Sequence, residues 1–274
     1  MTSYSQLGVM QGRLLPKYKG RYQALPVGYW QNEFDIAASL NLNLIEFIFD
    51  YDECNSNPLF SRAGLQEISQ KIKSSGVSVK SVCADYFMEA PLHDNDPIIS
   101  NHSISIFEKL IENSSIIGIS DVVLPCVDQS SIADEKCQDR LIGILKEFEF
   151  LLKKRNIRVS LEADLAPTSF ANLLDRIASN YVWVNYDTGN SASLGFDPDE
   201  EFIAYGSRIS DVHIKDRTIG GGPVMLGLGD AKLSRIKALL EEYNYPGPVI
   251  FQAYRDDEGL GVFKKQLDYW RNLK

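Results

Sequence analysis

Basic charge is in short supply in this chain of 274 residues. Lys and Arg number 28 against 37 Asp and Glu, giving a net charge of −9. The two signs are interspersed, so the concentrated positive surface that nucleic acid requires is missing. Cysteine is scarce as well: Cys54, Cys83, Cys126 and Cys137 are widely spaced and include no Cys-x-x-Cys pair. That excludes a disulfide scaffold or thiolate zinc site and points to reduced thiols in a cytoplasmic protein. No apolar run reaches membrane-spanning length, and Met1-Thr-Ser-Tyr-Ser-Gln6 lacks the basic and apolar regions of a signal peptide. Gly-x-Gly-x-x-Gly is absent too, which disfavours a doubly wound sheet with a phosphate turn after an early strand.

What is present is a regular alternation. Short apolar or alternating runs predict strands over residues 7–13, 44–50, 77–85, 121–126, 158–163, 181–187, 209–217 and 249–254. Between them, helical patterns cover 30–40, 62–75, 99–117, 133–155, 167–179, 198–205 and 231–243, and a last helix runs to residue 270. Gly76 is a natural C-terminal cap and Pro167 a natural helix start. Eight strand–helix units without a linker, in a length that can bury one large core, predict a single-domain (β/α)8 TIM barrel over residues 1–274.

In such a barrel the apolar file of each strand lies under helices, and the polar file points inward. The last inward residue then stands at the C-terminal mouth, where barrel enzymes keep their sites. Applied to the last four strands, this places Glu162, Asp187, His213 and Gln252 at the mouth. Val159, Leu161, Val182, Val184, Tyr186, Val249 and Phe251 face the helices. Two carboxylates, an amide and one of only three histidines form a shell suited to Mn²⁺, Zn²⁺, Mg²⁺ or Co²⁺.

The chain resembles the sugar phosphate isomerase/epimerase superfamily of xylose isomerase-like TIM barrels over nearly its whole length. The resemblance is carried by Ser160-Leu-Glu-Ala163, Asn185-Tyr-Asp-Thr-Gly189, Asp211-Val-His-Ile-Lys-Asp-Arg217, Leu226-Gly-Leu-Gly-Asp230 and Ile250-Phe-Gln-Ala253. It implies one divalent metal ion held by Glu162, Asp187, His213 and Gln252. It also implies isomerisation or epimerisation of a sugar, sugar phosphate or related polyol ketone through an enediolate, with Glu162 as catalytic base. Two positions depart from the family pattern. Gln252 stands where a glutamate is usual, and Asn190 where many members have histidine. An amide oxygen can bind a metal, but Gln252 cannot take a proton from carbon. With one base, the proton should leave and return on the same face, which suits aldose–ketose isomerisation or elimination better than C3-epimerisation. A metal-dependent dehydratase or lyase of a cyclic hydroxy-ketone is therefore a rival reading, as is a non-catalytic metabolite-binding barrel. A nuclease with a three-metal, histidine-rich centre is disfavoured by three histidines and an acidic surface.

The partner implied is a small-molecule carbohydrate, with no nucleic acid and no membrane, and a homodimer is compatible with the fold. On the substrate side, Arg217 and Lys215 follow His213 and could hold a phosphate or carboxylate, or Lys215 could brace Asp187 or Glu162. Glu46 and Arg13 end the inward files of the second and first strands, as substrate contacts or as a structural pair. Trp30, Tyr86 and Phe87 are candidates for a pocket wall, and Asn190 and Arg255 for lesser contacts. His93 and His102 are expected at the surface.

Overall fold

The computed structural model describes residues 6–274; the segment 1–5 of the targeting-signal reading lies outside the described residues. Eight parallel strands close into a barrel in the order β1 (Gln6–Met10), β10 (Pro248–Phe251), β7 (Ile209–Ile214), β6 (Val182–Asp187), β5 (Arg158–Ala163), β4 (Asp121–Cys126), β3 (Ser81–Cys83) and β2 (Leu44–Ile48). Closure comes from β1, which pairs with β2 through Val9 and Ile45 and with β10 through Leu7 and Val249. The helices are α1 (Asn32–Ser39), α2 (Arg62–Ser75), α3 (Tyr86–Glu89), α4 (Pro97–Ile116), α5 (Glu135–Arg155), α6 (Pro167–Ile177), α7 (Thr188–Leu194), α8 (Pro198–Tyr205), α9 (Leu233–Glu242) and α10 (Leu260–Asn272). The expected (β/α)8 barrel is thus the observed fold.

Period-two patterning explains the two cores. Val9, Ile45, Phe47, Val82, Val122, Leu124, Val159, Leu161, Val184, Val212 and Phe251 join the apolar faces of the helices in one large cluster. The opposite files of β1, β2, β3, β4 and β10 supply a second, smaller cluster of Met10, Leu44, Ile48, Cys83, Val123 and Ile250. This second cluster fills the lumen, so the barrel is a packed body that supports whatever stands at its mouth.

Helix ends follow local chemistry. Gly76 closes α2 at φ 75°, and Pro167 opens α6. Among the described residues no helix is long and apolar enough to cross a membrane.

Some boundaries differ from the sequence reading. In the 77–85 run only Ser81–Cys83 forms a strand, with Val82 and Cys83 in register with both neighbours and Ser81 with β4 alone, and Ser78 makes one isolated bridge to Leu44. The first strand stops at Met10 and the last at Phe251. The 209–217 run is two elements: β7 ends at Ile214, and β8 (Asp216–Arg217) pairs antiparallel with β9 (Pro223–Val224).

The break has a physical cause. Asp216 is buried and accepts backbone N–H groups from Gly227 (2.8 Å), Gly229 (3.0 Å) and Ala231 (3.1 Å), so the 225–231 loop folds around its carboxylate. A Cβ on Gly229 would come 2.2 Å from Asp216 Oδ1, which explains the glycine. Asp216→Ala should cost about 2 kcal/mol, because one buried and two partly buried donors lose their acceptor. Urea unfolding checks this, and a loss below about 1 kcal/mol would contradict it.

Candidate active site

The C-terminal ends of β5, β6 and β7 bring three buried groups together. One ligating atom from each of Glu162, Asp187 and His213 lies within 4.8 Å of the other two. His213 Nδ1 is 4.0 Å from both Glu162 Oε2 and Asp187 Oδ2. The orientation of this imidazole is fixed from two sides. Asn185 Nδ2, which can only donate, lies 3.1 Å from Nδ1 and 3.2 Å from Glu162 Oε2. Nδ1 therefore carries a lone pair, and the proton sits on Nε2, 2.7 Å from Glu46 Oε1. A carboxyl group behind the imidazole fixes the orientation of the ring.

Asp187 serves two purposes. Its Oδ1 caps α7 by accepting from Gly189 N (2.9 Å) and Asn190 N (2.8 Å), which leaves Oδ2 facing the site. Lys215 Nζ then gathers the remaining groups: Asp187 Oδ2 at 3.1 Å, Gln252 Oε1 at 2.9 Å and Asn190 Oδ1 at 3.3 Å. Asn190 is the hub of this edge. Its Nδ2 donates to Glu162 Oε1, and its Oδ1 also accepts from Arg217 Nη1 at 2.8 Å. Arg217 is further held by the Gly221 carbonyl at 2.9 Å.

Glu162, Asp187, His213, Gln252, Lys215, Arg217 and Asn190 thus share one hydrogen-bonded constellation, and Glu46 supports it from below. Several expectations need correction. Glu46 does not pair with Arg13; it bonds His213 across the barrel and accepts from Ser81. Arg13 is buried on the Ala253 and Tyr22 carbonyls and the Gln23 amide, where it ties the loop after β1 to the chain after β10. Trp30 lies between α1 and β2 against Phe34 and Phe47, because its large apolar ring is buried in the helix–strand layer. Tyr86 and Phe87 are likewise packed, on Phe49 and Phe107. Arg255 braces the Gly12 and Leu15 carbonyls. His93 is buried, whereas His102 is exposed as expected.

Sequence reasoning left Asn185 and Asp211 without roles. Both lie on the same inward phases as Asp187 and His213, and that phase was the available signal. Neither Asp211 oxygen meets a donor, and its carboxyl interacts with that of Glu46. Burial, then the Glu46 charge, raise Asp211 well above the usual range. Burial also pushes Glu46 up to about 8, and Glu162 up to about 7 with help from the Asp187 charge. Glu33, buried beneath the Gly12 and Leu14 amides, is raised to about 7 by burial.

These shifts fix a sign. Each group's folded pKa exceeds the ordinary 4.5, so between about 4.5 and 8 the unfolded chain holds fewer protons than the folded one. Stability is then lost as pH rises through that window. Melting of chelator-treated protein should show Tm falling from pH 5 to pH 8. A rise would contradict the burial of these carboxyls as described.

A closed parallel barrel with carboxylates and an imidazole converging at its C-terminal mouth has the architecture of barrel enzymes. More specifically, the chain belongs to the xylose isomerase-like TIM barrel family, whose model matches residues 34–273. It is 26% identical over 266 residues to a protein from Haemophilus influenzae described as putative L-ribulose-5-phosphate 3-epimerase SgbU, covering 88% of this chain and 91% of that one. L-ribulose-5-phosphate 3-epimerase UlaE of Escherichia coli is 24% identical over 248 residues, covering 85% and 86%. Among solved structures, the fold matches 3-keto-D-glucoside 4-epimerase YcjR of Escherichia coli at a TM-score of 0.75 and 14% identity, covering 97% and 98%. A D-psicose 3-epimerase matches at 0.72 and 14%, covering 98% and 99%.

Proposed function

We propose that this chain is a divalent-metal-dependent enzyme that moves a proton on the carbon beside the carbonyl of a sugar or sugar phosphate, with Glu162 as the base. The observation carrying this reading is the buried convergence of Glu162, Asp187 and His213 at neighbouring strand ends. A carbohydrate substrate and a sugar epimerase or isomerase class are supported by the relatives, which are named as L-ribulose-5-phosphate 3-epimerases. A cytoplasmic setting goes with that reading.

The donor set fits an ion. Two buried carboxylates face an imidazole lone pair, and Gln252 Oε1 shares the Lys215 ammonium with one of them. Glu162, Asp187, His213 and Gln252 would hold Mn²⁺, Zn²⁺, Mg²⁺ or Co²⁺. When bound, the ion would supply positive charge to the carbonyl and hydroxyl oxygens of the sugar as its carbon loses a proton.

The remaining roles belong to the chain. In the metal-free chain burial raises Glu162 to about 7, and an ion beside it would favour the carboxylate form that accepts a proton. The Asn185 and Asn190 amides hold its two oxygens, which aims the carboxylate. Glu46 holds the His213 ring through Nε2. Gln252 carries no base, so the proton returns from the face that Glu162 occupies, and aldose–ketose isomerisation follows. C3-epimerisation is the second reading, favoured by the names of the relatives. It calls for a second proton carrier across the substrate, which Gln252 cannot be and another residue would supply.

Incubating ketoses and ketose phosphates with protein and Mn²⁺ in D₂O separates the two. Aldose product without C3 epimer supports isomerisation, and a C3 epimer carrying deuterium at C3 supports epimerisation. No turnover of any sugar by metal-loaded protein would refute the enzymatic reading. Arg217 bears on phosphate. Arg217→Ala should raise KM for a phosphorylated substrate about tenfold more than for the free sugar. Equal effects on the two would show that Arg217 does not read the phosphate.

A further inference from the structure

Lys215 is held in a built position. Its backbone N–H donates to Thr188 Oγ1 at 3.0 Å, and Thr188 Oγ1 donates to its carbonyl at 2.6 Å. The stem crosses Gly189 so closely that a Cβ there would come 2.7 Å from Lys215 Cγ. The side chain is 14% exposed, and its three N–H donors are matched by Gln252 Oε1, Asp187 Oδ2 and Asn190 Oδ1. Of those acceptors only Asp187 is an anion. A glutamate at 252 would grip the ammonium with a second charge, whereas the glutamine grips it as a neutral dipole.

Two of these oxygens, Asp187 Oδ2 and Gln252 Oε1, belong to the ligand set assigned above. An ammonium and a divalent ion compete for them, because like charges a few ångströms apart in a buried site repel. We propose that the Lys215 ammonium is the resident cation of this site and exchanges with the divalent ion, making Lys215 the positioning residue that sets metal affinity. The inference rests on the divalent-ion reading. Ion entry would release the ammonium from Asp187 and Gln252 while Asn190 remains within its reach. Lys215 thereby stabilises the metal-free protein by keeping the Asp187 carboxylate paired, and the same contacts weaken ion binding.

The test is Mn²⁺ titration of chelator-stripped protein by calorimetry and electron paramagnetic resonance, with Lys215→Met, Lys215→Gln and Lys215→Arg beside the unmodified chain. Both uncharged variants should bind one Mn²⁺ at least tenfold tighter than the unmodified chain, and Lys215→Arg should not. Stripped Lys215→Met should melt at a lower temperature and regain more on Mn²⁺ addition. Unchanged or weaker binding by folded Lys215→Met or Lys215→Gln, with one ion still bound by the unmodified chain, would overturn the exchange and leave the ion reading standing. If Lys215→Met does not fold, Lys215→Gln decides, since its amide can still donate to Asp187. Absence of binding in every protein would remove both readings together.

Discussion

Glu162→Gln should reduce kcat by at least about a thousandfold while leaving the fold unchanged. The substitution keeps the shape of the side chain but removes the one carboxylate aimed by both Asn185 and Asn190, and leaves a single oxygen to accept from those two amides. General-base catalysis contributes roughly a hundred- to ten-thousandfold, and loss of a ligand charge adds to that. Burial raises the Glu162 carboxyl to about 7, so neutralising it relieves a desolvation cost. The variant's Tm in chelator should therefore equal or exceed that of the unmodified protein. A drop in activity accompanied by unfolding would not support the assignment. Activity within tenfold of the unmodified enzyme, in a folded variant, would refute it.

Gln252→Glu is expected to have the opposite effect on metal. Adding a negative charge beside Asp187 and Glu162 should tighten Mn²⁺ binding by about ten- to a hundredfold, because a divalent ion gains more from a carboxylate than the competing Lys215 ammonium does. The same change places a carboxylate across the mouth from Glu162, so C3-epimerisation with solvent deuterium at C3 should appear or increase. Calorimetry and isotope incorporation read the two effects separately. Unchanged or weaker Mn²⁺ affinity would mean that Gln252 is not a ligand.

The parity of strand residues is why so much of this site was legible in the sequence. In β5 and β6 the apolar file is unbroken, and in β7 Val212 and Ile214 carry it past the irregularity at Ser210, so the opposite file had to point into the lumen, and Glu162, Asp187 and His213 are its last members. Gln252 followed from the same count although it lies one residue past β10. Parity says nothing about partners across the barrel. The Glu46–His213 bond joins residues 167 apart, and only closure of the sheet through β1 brings them together. The position of Asn190 depends on the short helix α7, for which the sequence offered only a capping aspartate that also serves as a site residue. Trp30 was misassigned because aromatic residues near a barrel mouth pack between helix and strand as readily as they line a pocket. Lys215 ends the polar file of β7, but its contact with Gln252 required the geometry of a neighbouring strand.

The central claim is that Glu162, Asp187, His213 and Gln252 form one metal centre at the barrel mouth. Crystals grown with Mn²⁺, with diffraction collected on both sides of the manganese absorption edge, test it most directly. The account predicts a single strong anomalous peak about 2.0–2.3 Å from one oxygen or nitrogen of each of these four side chains, with the Lys215 ammonium displaced from Asp187. Saturating Mn²⁺ with no peak at the mouth, or a peak held by other residues, would contradict it.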